Sequence, residues 1–270
     1  MKYILTIVLL YTHQFAFADV SLVFKDVHIK NSSHTTAYLI KANLLKLTES
    51  GSRRINIFNQ NSRQFVSFDP NSGKSSMINE KVLDQRVAQF NQRRLKQIAE
   101  VEKKMQAKLK TMTEKEQEVG QSLLSMLKYP DLYGKHTQLR VVPAAENAPG
   151  TKDQKLTTTV PCKSYQLYRG KKLLKRLCMA DAASLHMTEQ EYKTIRAYYA
   201  FDYTMQTRLM LAAGQSDFSL VDYEKENMPG VVIEIISYKG AEISQHLLLS
   251  SFSDNTLEDS VFMLKKSLKK

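Results

Sequence analysis

An α+β fold is what this sequence predicts, built as one antiparallel sheet with helices on one face and a long helical insert. Three observations predict it. Between Val20 and Ile78, short apolar runs are broken by turn signals about every ten residues. Between Glu80 and Leu127, glycine and proline almost vanish and apolar residues recur mostly at three- and four-residue steps. Strand-like runs then return near Cys162–Cys178 and Val231–Leu249. Strands therefore precede, separate and follow the helices, which fits a single sheet better than alternating βαβ units.

Taken in order, Val20 to Ile29 opens with alternation. Thr36 to Leu47 reads as one long strand carrying Tyr38, Ile40, Ala42 and Leu44 on one face. Ser50-Gly51 marks a turn, and Arg54 to Asn59 puts Ile55 and Ile57 together. Arg63 to Phe68 runs into Asp69-Pro70-Asn71-Ser72-Gly73, a dense turn cluster, before Lys74 to Ile78 returns. Leu83, Val87, Phe90, Ile98, Val101, Met105, Leu109 and Met112 then recur mostly at three- and four-residue steps, the stripe of an amphipathic helix spanning about Lys81 to Thr111. Arg94 interrupts that stripe and the step from Phe90 to Ile98 breaks its register, so the helix is expected to pack on the protein's own sheet and not in a coiled coil. Thr113 with Glu116 is a capping box for a second helix ending near Leu127, stopped by Pro130. Residues 145–157 read as a polar linker. Thr188 with Glu191 is a further capping box, for a helix carrying Tyr192, Ile195, Tyr199, Met205 and Leu209 to about Ala213. After a polar loop over 214–228, Val231–Tyr238 and Glu242–Leu249 flank Lys239-Gly240-Ala241 as a hairpin. The tail is basic at Lys265, Lys266, Lys269 and Lys270.

The N-terminus sets the expected address. Lys2 precedes an apolar run, Tyr3 to Leu10, and the segment closes on Ala16-Phe17-Ala18, a small-x-small pattern open to cleavage between Ala18 and Asp19. The run falls far short of the roughly 20 residues that span a bilayer. No cysteine stands at the cleavage point to carry a lipid. A signal peptide over 1–18 and a single α+β domain over 19–270 are expected, the latter divided into N-terminal strands (19–79), helical insert (80–128), and disulfide hairpin, helix and C-terminal strands (155–270). The periplasm or the medium is the expected location. The formal net charge of +12 favours anionic company, an envelope membrane surface before nucleic acid.

The two cysteines, Cys162 and Cys178, lie symmetrically about Gly170. A hairpin turning at Arg169-Gly170-Lys171 would set them directly opposite each other, in position for a cross-strand disulfide. Neither CxxC spacing nor a neighbouring His/Cys set argues for metal or redox chemistry.

Four stretches carry a resemblance: FVSFDPNSGKSSMI (Phe65–Ile78), KLKTMTEKEQEVGQSLLSML (Lys108–Leu127), TTTVPCKSYQLYRGKKLLKRLCMADAASLHMTEQEYKTIRAY (Thr157–Tyr198) and GVVIEIISYKGAEISQHLLL (Gly230–Leu249). In these the chain resembles a domain-of-unknown-function family of Gram-negative envelope proteins expected to share the open half-barrel of the lipoprotein carrier LolA. The tail VFMLKKSLKK departs from the aromatic-Pro-Gly ending usual in that family. The resemblance implies a curved sheet covered by helices, an envelope compartment and an apolar cavity. It implies no catalytic residue.

The residues themselves point to no catalysis either. Asn71-Ser72-Gly73-Lys74-Ser75 lacks the first glycine of a phosphate loop, since position 68 is phenylalanine. His28, His34, His136, His186 and His246 are scattered without ligand spacing. Tyr198, Tyr199 and Tyr203 read as core packing on a helix rather than as a ligand cage. No cofactor and no metal are expected. The leading expectation is a non-catalytic carrier for an apolar or acylated envelope ligand. Its cavity would be lined by Ile40, Leu44, Ile55, Ile57 and Phe65, with a basic rim drawing an anionic headgroup. The alternatives are a protein-interaction module using the long helix and, third, a hydrolase, which needs a nucleophile beside a base.

Overall fold

The computed structural model describes residues 19–28, 34–129, 139–143, 160–215 and 219–264. Asp19 is the first of these, so residues 1–18 with Ala18, the whole of the 145–157 linker and the basic tail from Lys265 lie outside the described residues.

Six strands come first: β1 (Val20–Asp26), β2 (Thr35–Lys41), β3 (Leu44–Glu49), β4 (Ile55–Asn59), β5 (Gln64–Asp69) and β6 (Lys74–Ile78). Helices α1 (Glu80–Leu109) and α2 (Glu114–Lys128) follow, then β7 (Leu139–Pro143), β8 (Cys162–Arg169) and β9 (Lys172–Ala180). Helix α3 (Glu189–Ala212) precedes β10 (Val231–Lys239) and β11 (Glu242–Ser253). Among the described residues the strands form one curved, unclosed antiparallel sheet of eleven, ordered β6-β5-β4-β3-β2-β1-β11-β10-β9-β8-β7. The first and last strands thus pair in mid-sheet, with Ser21 opposite Ser253 and Asp26 opposite Leu247. β6 and β7 are the outermost strands among the described residues.

Local chemistry explains most boundaries. The Asn79 side chain accepts from Val82 N at 2.9 Å and starts α1. The Glu116 carboxylate accepts from Thr113 N at 2.9 Å, and the Glu191 carboxylate from Thr188 N at 2.8 Å, so both expected capping boxes form. Asp69 accepts from Asn71 N and from Ser72 Oγ, which fixes Pro70–Gly73 as the β5–β6 hairpin turn. Arg94, which interrupts the α1 stripe, donates to Leu127 O at 2.8 Å and Lys128 O at 3.2 Å. It supplies partners for carbonyls that the C-terminus of α2 would otherwise leave open. Gly230 must be glycine. Its φ is +104°, and a Cβ there would come 2.5 Å from Ala180 O.

Three expectations are corrected. Thr36 to Leu47 is two strands and not one: the chain turns at Ala42-Asn43, with Ala42 in the left-handed region at φ 50°. Leu45 and Leu47, instead of Leu44, then face α3. The β8–β9 hairpin turns at Gly170-Lys171, and a bulge between Leu167 and Tyr168 slips the register. Cys162 therefore faces Ala180 and Cys178 faces Ser164, so the disulfide joins diagonal neighbours with Cα atoms 5.6 Å apart. Finally, α3 is the helix that covers the sheet. α1 packs on α3 and α2 and meets the sheet chiefly beside β6.

The main core lies between the sheet and α3. Phe58, Leu22, Ile40, Leu45 and Ile195 are wholly buried. The Phe58 ring sits 5.7 Å from Tyr198 and 5.3 Å from Phe201, fixing α3 across β4. The opposite face has its own cover. Lys41 donates to Leu257 O, Lys46 donates to Val261 O at 2.7 Å, and the Asp19 carboxylate accepts from Leu257 N at 2.6 Å. These bonds hold the segment after β11 against the back of β2 and β3.

Candidate functional site

The strand register turns the α3-facing side of the sheet from apolar to polar along its length. At one end Ile40 faces Leu45, Leu45 faces Phe58, and Phe58 faces Phe65. This end is filled. One step on, Leu22 faces Tyr38 and Tyr38 faces Leu47. A further step brings Phe24 opposite Thr36 and Thr36 opposite Glu49. On the other half of the sheet, Asp26 faces Leu247, Leu247 faces Ile235, and Ile235 faces Leu177. Beyond them Ser237 lies between Gln245 and Lys175.

Over this middle zone a cavity of about 660 Å³ opens between the sheet and α3. Leu47, Leu177, Val232, Ile235 and Leu247 give it an apolar floor, and Leu220, Val221 and Tyr223 close it from the loop after α3. Tyr198, Tyr199, Asp202, Tyr203 and Gln206 reach it from α3. Tyr199, Asp202, Tyr203 and Gln206 are spaced i, i+3, i+4 and i+7, and Tyr198 stands one turn before Asp202, so they share one helix face. Asp26, His34, Glu49, Lys175 and Gln245 are its polar groups from the strands and from the approach to β2.

Burial governs the electrostatics. It pushes the Tyr38 hydroxyl up to about 12, with the Asp202 and Glu49 carboxylates adding to the rise. Burial also lifts Tyr198, Tyr199 and Tyr223 well above the usual phenol range. All four rings are therefore neutral and offer flat faces and hydroxyl donors. Burial raises the Asp202 carboxyl, partly offset by the Gln206 amide donating at 2.6 Å. On the facing wall burial lowers Lys175.

A carboxyl that holds its proton more tightly when folded stabilises the fold at acid pH and loses that contribution as pH rises through the folded value. Asp202→Asn is accordingly expected to raise the thermal midpoint at neutral pH. The gain should shrink as pH falls towards the ordinary aspartate range, where both side chains are neutral. Thermal melts of the two proteins between acid and neutral pH check this, and a variant less stable at neutral pH would contradict it.

The sequence-expected cavity residues fall in two places. Ile40 and Phe65 lie on the α3 side but in its filled end, where Phe65 stacks 6.5 Å from Tyr198. Leu44, Ile55 and Ile57 lie on the back of the sheet, since Ile57 stands opposite Lys46 while Phe58, next in sequence, points to α3. Tyr198, Tyr199 and Tyr203 pack and also line the cavity. Among the described residues the lining does not show the expected basic rim: three carboxylates, Asp26, Glu49 and Asp202, face one lysine, Lys175. Cys162 and Cys178 are away from the cavity. The pair fits an oxidising compartment. No described helix is long and apolar enough to cross a membrane.

No protein-family model matches the chain, and no curated protein matches it. The site is read from its own chemistry: a tyrosine-rich, apolar recess with a polar end, suited to holding a molecule that is itself greasy at one end and polar at the other.

Proposed function

We propose that this protein is a non-catalytic binding or carrier protein of the cell envelope that shelters the apolar part of an amphiphile, such as an acylated envelope component, between its sheet and α3. The cavity of about 660 Å³ with its apolar floor is the observation that carries this reading. Each methylene moved from water into such a recess contributes roughly 0.8 kcal/mol, so a chain of several carbons binds by burial alone. The apolar leader and the cysteine pair support a periplasmic or secreted location, and the curved, open sheet is in keeping with a LolA-like carrier. The basic surface would favour docking on an anionic membrane while the ligand is loaded or released.

The test is a neutral naphthylamine probe that fluoresces in apolar surroundings. Wild-type protein should bind it. Leu247→Trp, which fills the cavity from β11, should lose most of that binding while keeping its circular dichroism and thermal midpoint. Unchanged binding in a folded Leu247→Trp protein would contradict the reading.

A second reading keeps one specific observation. Val119, Leu123 and Met126 form an exposed apolar stripe on α2, the first two 57% and 49% exposed. An interaction module would use it. In-cell crosslinking from Leu123 that captures a discrete protein, while the purified protein binds no apolar probe, would favour that reading.

A further inference from the structure

We infer that the cavity selects amphiphiles whose polar end is positively charged, holding the cation between the Asp202 carboxylate and the rings of Tyr38 and Tyr198. This rests on the binding reading above and adds the class of the ligand's polar end.

Asp202 is the first reason. It projects from the middle of α3 into the cavity, and among the described residues its hydrogen-bond donor is the neutral amide of Gln206. A desolvated carboxylate without a cationic partner is costly, and a ligand cation would supply what the fold leaves out. The surrounding rings are the second reason. Tyr198 lies one helical turn before Asp202 on α3, and Tyr38 faces both from β2, its ring 6.2 Å from that of Tyr198. Ring faces flanking a carboxylate form the arrangement that binds alkylammonium groups through their quadrupoles.

The third reason is the sign of the lining. Glu49 stands on the next strand beside Leu47, and both Tyr38 and Tyr198 lie within electrostatic reach of Glu49 and Asp202. Asp26 adds a further carboxylate from β1, while the lining ammonium, Lys175, stands across the cavity on β9. Lys175 and Asp202 do not pair, and neither perturbs the other. An acidic recess inside a chain of net charge +12 runs against the overall field, so the local groups and not the bulk charge set the preference.

The experiment displaces the neutral naphthylamine probe with two amphiphiles of equal chain length, dodecyltrimethylammonium and dodecyl sulfate, both below their micelle concentrations. Wild-type protein should bind the ammonium about tenfold more tightly than the sulfate. Asp202→Asn should bring the two close to equal, each affinity being taken relative to that variant's own affinity for the neutral probe. Lys175→Met should leave the ordering intact. Equal or tighter sulfate binding in the wild type would overturn the inference, as would a preference that survives in Asp202→Asn or that follows Lys175 instead. If the neutral probe binds in the cavity without any preference for the ammonium, this inference alone fails. If no probe binds, the binding reading falls with it.

Discussion

Replacing Phe58 with alanine is expected to cost about 3–5 kcal/mol of folding stability, the largest effect of any single side-chain truncation considered for this fold. Phe58 is wholly buried on β4. Its cross-strand partners are Leu45 and Phe65, and its ring contacts Tyr198 and Phe201 on α3. It therefore joins three strands to the helix in the filled end of the interior. Neighbours locked in strand register cannot collapse into the space that truncation leaves, so the cavity term adds to the lost transfer term. Urea unfolding should show a lower midpoint with an unchanged slope. Because α3 also forms the roof of the cavity, probe binding should weaken at temperatures where the variant begins to melt. A loss below about 1 kcal/mol would mean that the α3–β4 packing is not the keystone described here.

Removing the disulfide by the double change Cys162→Ala/Cys178→Ala should cost about 3 kcal/mol, the loop-closure value for a bridge spanning 16 residues. The bridge secures β8 to β9 near the β7 edge, where the described edge strand has only five residues. The same loss should appear when the wild type is unfolded in urea with and without reductant. Stability unaffected by reduction would show that the bridge is incidental to the fold.

Much of the architecture was legible where local chemistry decides it. The two capping boxes and the Asp69–Gly73 turn follow from side chains that satisfy backbone groups nearby, and the hairpin at Gly240-Ala241 from a glycine in the left-handed region at φ 71°. Features set by longer-range geometry were not. The Ala42-Asn43 turn uses a left-handed alanine where no glycine or proline gives warning, and it inverts the faces of β3. A two-residue turn at Gly170-Lys171 and a bulge at Leu167/Tyr168 each slip the register by one residue and together move the cysteines from opposite to diagonal, and nothing in the symmetric spacing about Gly170 reveals either. β7 is a short edge strand ending at Pro143, too brief for a periodic signal. The covering helix was misjudged because α1, solvated on one side, shows a clear stripe, whereas α3 meets the sheet, α1 and the cavity at once and shows a weak one. The cavity itself was least legible. Asp202, Glu49 and Lys175 look like ordinary surface charges in sequence, and only the packing of α3 over a sheet joined by the β1–β11 pairing brings them to one cavity.

The most direct measurement is paramagnetic broadening of backbone NMR signals by a sixteen-carbon amphiphile spin-labelled near the end of its chain. The expected result is strong loss of signal at Tyr38, Leu47, Leu177 and Val232, with α2 unaffected. Broadening confined to Val119, Leu123 and Met126, or spread evenly over the surface, would contradict a ligand held between the sheet and α3.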